Sequence, residues 1–306
     1  MSRPVRVLVT GAAGQVGVDL VDTLRALTPL GGDAAFQPDD APVGEDEFAV
    51  FALTRDELDI TNRDVVRSAI AASRPEVIVH LAAYTQVDRA EDDRATCFAV
   101  NAGATETMSL AAHDVGAHLI TISTDYVFDG NQGRGYIEDD QTNPLNVYGA
   151  SKRAGELLCA DDDTIVRVSW VMGVRGKNVL HVIADRAAHG EMVRFVNDQV
   201  GTVTLASDMA RALVTLVRER PGGLWHVANT GTTSWFEVAR YAGHLLGRED
   251  GFATPIRTSE LVPTPAATRP ARSDLDTAKW NGHWASMPPW QDGVARLLRD
   301  RESLVR

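Results

Sequence analysis

Residues 146–156 read NVYGASKRAGE, which sets Tyr148 and Lys152 four positions apart. On a helix that spacing stacks the two side chains on one face. A free tyrosine has a pKa near ~10 and exchanges protons poorly at neutral pH. A lysine ammonium beside it stabilises the phenolate and draws that value down. A third group is available upstream, where TISTDYVFDG offers the hydroxyls of Ser123 and Thr124 at a strand-like end. A Tyr-x-x-x-Lys pair by itself is common on solvated helix faces, so the elements around it must decide.

The first of those elements is VRVLVT (5–10), a compact β-branched run that stops at Gly11. Gly11, Gly14 and Gly17 follow at the spacing G-x-x-G-x-x-G, and QVGVDLVDTLRAL then carries apolar residues at helical intervals. Such glycines permit a tight turn and close approach of backbone N–H groups to a pyrophosphate, with the positive helix start facing the anion. The plainer reading is a glycine-rich strand-to-helix turn, but its place directly after an apolar strand favours a dinucleotide. The spacing is the form seen in short-chain dehydrogenases. The second strand ends in ALTRDELDIT, where Thr54 and Arg55 suit a ribose 2′-phosphate and adjacent Asp56 weakens that preference, leaving NADPH or NADH. Asp59 and Ile60 could border the adenine, while Thr61 with Asp64 reads as a capping box for the next helix.

Strand-like runs continue at 48–54, 77–83, 118–124, 164–170 and 222–229, with helix-like stretches between them, one of them spanning 90–116. The alternation predicts an α/β protein: a Rossmann-like, doubly wound parallel sheet with a smaller C-terminal substrate-binding lobe. Ligands then bind at the carboxyl ends of the strands, here Gly11, Thr54, Ala83, Thr124 and Trp170. Residues 1–170, with 201–230 returning, form the dinucleotide-binding domain; 171–200 and 231–306 form the lobe. Thr28–Glu47, rich in Pro, Gly and Asp, reads as a surface insertion.

The stretches GAAGQVG, ELDIT, HLAAYTQVDRAE, STDYVFDG, NPLNVYGASKRAGE, RVSWVMG, NDQVGT, GTTSWFEVA and TRPARSDLD run from residue 11 to 276. Through them the chain resembles the extended short-chain dehydrogenase/reductases and, within these, the dTDP-4-dehydrorhamnose reductase group. The resemblance implies NAD(P)H-dependent reduction of a dTDP-4-dehydro-β-L-rhamnose, or of a close 4-ketosugar nucleotide, at C4. It makes Tyr148 the proton donor to the ketone oxygen, Lys152 the residue that lowers its pKa and holds the cofactor ribose, and Thr124 a hydrogen-bonding neighbour of the reacting oxygen. Cofactor contacts would come from Gly11, Gly14, Gln15, Val16, Gly17, Arg55, Asp59, Ile60, Ala82, Ala83 and Tyr84, with Asn101 ordering the site from its helix. Thr85, Val87, Asp125 and Trp170 would face the sugar, and Arg269 the pyrophosphate. A solvated loop arginine is the other reading of Arg269, and core packing the other reading of Trp170. The sequence departs from the group at Val203-Thr204, where Pro-Thr is usual, and in the length of the 28–47 insertion. Members of the group can pair through a metal held by acidic side chains; no ligand set is readable here, so no metal is expected and a homodimer stays open.

The bulk numbers agree with a catalyst of small molecules. A net charge of −12 over 306 residues disfavours nucleic-acid and acidic-membrane surfaces. Cys97 and Cys159 sit in no metal or redox spacing and read as two reduced thiols in a cytoplasmic protein. The sequence holds no H-E-x-x-H, no Gly-Lys-Ser/Thr after the glycines and no G-x-S-x-G. A dehydratase would want a Glu after the Thr, and Asp125-Tyr126 stands there. The competing reading is a non-catalytic module resembling the methionine adenosyltransferase β subunit, which has no need of a tuned phenol.

Overall fold

A computed structural model describes residues 3–27, 47–248 and 251–305, so the expected insertion at 28–47 lies outside the described residues except for Glu47. Six strands form one parallel sheet. Five are β1 (Val5–Thr10), β2 (Phe48–Leu53), β3 (Val77–His80), β4 (His118–Thr124) and β5 (Thr164–Val168), and Gly223–His226 adds the sixth at the β5 edge. Across the sheet the order is Gly223–His226, β5, β4, β3, β1, β2. The chain therefore steps outward from β1 to β2 and then crosses back to β3, which puts the topological switch point between β1 and β3.

The strand sequences explain their depth. In β1, Val7 and Val9 pack on one face and Leu8 on the other, the period of two expected of a pleated strand buried on both sides. On the first face lie α1 (Gln15–Ala26) and the helix Ala206–Glu219, meeting through Leu20, Leu24, Leu213 and Leu216. On the second lie α2 (Arg63–Ser73) and the helix Ala104–Val115, meeting through Val66, Ile70, Met108 and Ala112. Burying each such Leu, Ile or Val contributes roughly 1.5–3 kcal/mol.

Two local expectations need correction. Asn62, not Thr61, caps α2 by accepting from the Val65 amide; Thr61 instead donates its hydroxyl and amide to Asp59 Oδ1, at 2.7 and 3.0 Å. The start of the helix is thus one residue later than the Thr-x-x-Asp pattern suggests, because the aspartate two residues back competes for the threonine. The stretch 90–116 is not one helix. It breaks into Val87–Asp92, Arg94–Phe98, a π-helical turn Ala99–Gly103, and Ala104–Val115.

A second hydrophobic core gathers Leu180, Ile183, Val238, Ala242, Trp290 and Leu297, among others. Short pairings knit it: Val193–Val196 with Ala253–Ile256, and Val200–Thr202 with Thr232–Ser234. Val203, where the group has proline, is fully buried in this core. Residues 280–287 fall within the expected lobe, yet Trp280, Trp284 and Met287 pack against the sheet-side core beside Trp225. Cys97 and Cys159 are both free thiols. Among the described residues no helix is long and apolar enough to cross a membrane.

Candidate active site

The glycine turn is built for contact. Gly11 has φ +68°, and a Cβ there would lie 2.6 Å from the Ala82 amide nitrogen, so the loops after β1 and β3 touch at the switch point only because residue 11 is glycine. A Cβ on Gly17 would come to 2.2 Å from the Gly11 carbonyl. Gly14 closes the turn onto that carbonyl at 2.9 Å and brings no capping side chain to α1, leaving the first amides of the helix to an anion. The Ala12 amide donates to the Leu53 carbonyl, which brings the end of β2 alongside, with Arg55 and Asp59 exposed just beyond. These residues fit a dinucleotide: a cradle that a side chain would fill, an open helix start and a cation near the ribose end.

Several expected contacts acquire a specific partner. Gln15 Oε1 accepts from the Gly173 amide at 2.9 Å and from Asn178 at 3.1 Å, well over a hundred residues on in the sequence. Val16 packs against the sheet-side core, and Ile60 is buried in the opposite one. Asn101 is almost fully buried on the π-turn. Its Oδ1 accepts from the Tyr84 amide at 2.9 Å, and its Nδ2 donates to the Tyr84 carbonyl and to Ser151 Oγ. The amide is thereby engaged in holding the Tyr84 backbone. Insertion of one residue into a helix commonly marks a functional turn, and here it aims this side chain.

The helix Val147–Glu156 is seated by glycines and a cap. Asn146 accepts from the Gly149 amide and donates to the Thr268 carbonyl at 2.8 Å. A Cβ on Gly149 would meet the Tyr126 carbonyl at 2.1 Å, and one on Gly155 the Asn101 carbonyl at 2.4 Å. The helix lies flush against the end of β4 for that reason. Tyr148 then stands beside Thr124, whose hydroxyl stabilises the phenolate form, while Tyr126 packs edge-on at 6.1 Å between centroids.

The electrostatics differ from the simple Tyr–Lys picture. Burial pushes the Tyr148 phenol above its usual value, Thr124 opposes this, and Asp125 reinforces it. No depression by Lys152 emerges in this geometry. Lys152 itself is brought down to about 8 by burial, with Glu156 opposing. Asp125 is raised to about 6 by burial, despite hydrogen bonds from Ser273 at 2.5 Å and Thr124 at 3.0 Å. His80, whose Nδ1 pairs with Thr10 Oγ1 at 2.7 Å, is held neutral, its pKa brought to about 3 by burial.

On the sugar side, Thr85 is exposed and Val87 opens a short helix along the crevice. Trp170 adopts a left-handed φ of +45° and stacks on Trp235 at 4.1 Å over Gly201, where a Cβ would meet the ring at 2.8 Å. Arg269 is no solvated loop residue: it pairs with Asp88 through two bonds of 2.5 and 2.6 Å and hydrogen-bonds Tyr126. Sequence reasoning missed Asp88, Tyr126, Asn146, Gly201, Trp235 and Ser273. Of these, Asn146 alone carried a local signal, as a cap residue ahead of an apolar helix. His113, Asp162 and Asp163 bring ligand-type atoms within 4.8 Å of one another, at the amino edge of the sheet and away from this crevice.

The glycine turn at the switch point and the Thr–Tyr–Lys group over the same crevice define the extended short-chain dehydrogenase/reductase architecture. The profile of the RmlD substrate binding domain family matches residues 40–303, and the chain belongs to that family. A dTDP-4-dehydrorhamnose reductase of Streptomyces griseus is 38% identical over 98% of this chain and 94% of its own length. The Escherichia coli K12 protein of the same name is 37% identical over 96% and 97%. A dTDP-4-keto-6-deoxy-D-glucose reductase of Streptomyces niveus is 37% identical over 84% of each chain. The crystal structure of dTDP-4-dehydrorhamnose reductase from Bacillus anthracis in complex with NADP superposes with a TM-score of 0.85, at 32% identity, over 97% of this chain and 100% of that one.

Proposed function

We infer that this protein is an NAD(P)H-dependent reductase that converts the C4 ketone of dTDP-4-dehydro-β-L-rhamnose to the alcohol of dTDP-L-rhamnose. What supports the reading is one combination: a phenol beside the Thr124 hydroxyl at the end of β4, and a glycine turn at the switch point of the same sheet, in a chain related over nearly its whole length to reductases of that name.

A bound reduced nicotinamide supplies the hydride; the protein supplies position and a proton. Gly11, Gly14, Gly17 and the start of α1 would hold the pyrophosphate, and Arg55 the ribose end. Tyr148 keeps its proton throughout the neutral range because burial and Asp125 disfavour the phenolate. It is therefore loaded to donate to an oxygen that gains negative charge as the ketone is reduced. Lys152, one turn along the same helix, would hold the cofactor ribose, and Thr124 is the group that favours the phenolate left behind. Thr124 orients the phenol, and Asp125 is fixed in turn by Ser273. Trp170 and Trp235 form an apolar wall that keeps water from the sugar side, and Arg269 would exchange its Asp88 carboxylate for paired phosphate oxygens when substrate binds. No metal has a part in this scheme.

The test is a panel of 4-ketosugar nucleotides offered with NADPH and with NADH, read by loss of reduced-nicotinamide absorbance. Turnover confined to dTDP-4-keto-6-deoxysugars supports the reading, and cofactor binding without turnover of any of them supports the non-catalytic module. The Streptomyces niveus relative favours a second substrate, dTDP-4-keto-6-deoxy-D-glucose, which belongs in the same panel.

A further inference from the structure

Behind Tyr148 the helix turns once more to Lys152 and again to Glu156, and both are almost fully buried. They border a cavity of about 10 Å³ shared with Asn101, Thr105 and Ser123, room for about one water. Burial there works against the ammonium form of Lys152. The Glu156 carboxylate is gripped by Arg167 through two bonds of 2.8 Å, from Nε and from Nη2, and by Arg153 Nη1 at 2.8 Å. Arg167 is held in its turn by the Phe128 ring at 4.9 Å and by the Glu138 carbonyl at 3.4 Å.

We propose that Glu156, clamped by Arg167, is a positioning residue of this active site: it keeps the buried Lys152 in its ammonium form, and so sets the upper pH limit of cofactor binding and turnover. The proposal rests on the reductase reading for its second half only. The groups facing Lys152 are Tyr148 and Glu156 on its own helix, Cys159 just past it, Cys97 from Arg94–Phe98 and His80 from β3. Burial keeps both thiols and His80 neutral near pH 7, so of these groups Glu156 alone carries the opposite charge there. An opposite charge one helical turn away favours the charged form, and here it works against burial. With Glu156 present, Lys152 still titrates at about 8. Without that carboxylate, and with Arg167 left unbalanced, the ammonium is lost at lower pH.

The measurement is NADPH affinity against pH, followed by fluorescence titration of the whole protein, with kcat against pH beside it. Glu156→Gln should move the alkaline fall-off down by about one pH unit or more. Arg153→Gln, at a partly exposed site that leaves the Arg167 clamp in place, should move it up by a few tenths, because it removes a cation that shares the Glu156 charge. Glu156→Asp, which keeps the charge, should return most of the wild-type profile. A lowered melting temperature with an unmoved fall-off in Glu156→Gln would show a merely structural ion pair and overturn the proposal. If that variant does not fold, an unmoved fall-off in Arg153→Gln overturns it instead. Wild-type protein that binds NADPH with this pH dependence but reduces no ketosugar would sink the reductase reading and leave the role of Glu156 standing.

Discussion

At the scale of single residues, the site is assembled from groups whose charge states are costly. Asp125 is buried and raised to about 6, so its ionisation disfavours the folded state: the penalty is absent below its unfolded value near 3.8 and is in full force above about 6. Asp125→Asn should therefore gain stability relative to wild type as pH rises from 4 to 7, by roughly 2–3 kcal/mol. Melting temperatures across that range check the sign. Turnover of the wild type should fall above about pH 8, where Lys152 loses its proton. Tyr148→Phe should cost about 10²–10⁴ in kcat while leaving NADPH affinity nearly intact; retained turnover would remove the phenol from the chemistry.

Elements place those residues by close contact rather than by side-chain reach. The Tyr–Lys helix is pressed against Tyr126 and Asn101 because Gly149 and Gly155 offer no side chain at the two crossing points. Gly155→Ala must either displace the helix or strain the π-turn, which costs about 1–3 kcal/mol. The expected outcome is a melting temperature lower by several degrees together with a reduced kcat, both read on the same purified sample. Gly11→Ala acts on the other wall of the crevice. A methyl at φ +68° against the Ala82 backbone should weaken NADPH binding by more than tenfold, measured by titration.

For the molecule as a whole, the segment 267–276 ties the lobe's side of the crevice to the sheet. Arg269 and Asp88 are 181 residues apart in sequence, Ser273 and Asp125 148 apart. The Asp88 carboxylate sits well below its usual range, at about 2, chiefly through the Arg269 bond. Arg269→Ala should raise the KM for a dTDP-sugar by tenfold or more and change kcat far less, since its fork would serve binding rather than the reacting carbon. Steady-state kinetics with varied sugar nucleotide separates the two.

What could be read along the chain was whatever has a local period or a backbone demand. Strands of β-branched residues with alternating faces, glycines where φ is positive or backbones touch, and a Tyr and Lys one helical turn apart all declare themselves within a few neighbours. The sheet, the glycine turn and the Thr–Tyr–Lys group were legible for that reason. Other features depend on a partner far away in sequence. Whether Thr61 caps a helix or serves Asp59, whether Asn101 faces a ligand or clamps Tyr84, and whether Arg269 is free or gripped by Asp88 are decided by who arrives next to them. Burial is equally non-local: it raised the phenol of Tyr148, lowered Lys152 and left Glu156 as its counter-charge, and no spacing in the sequence carries that information.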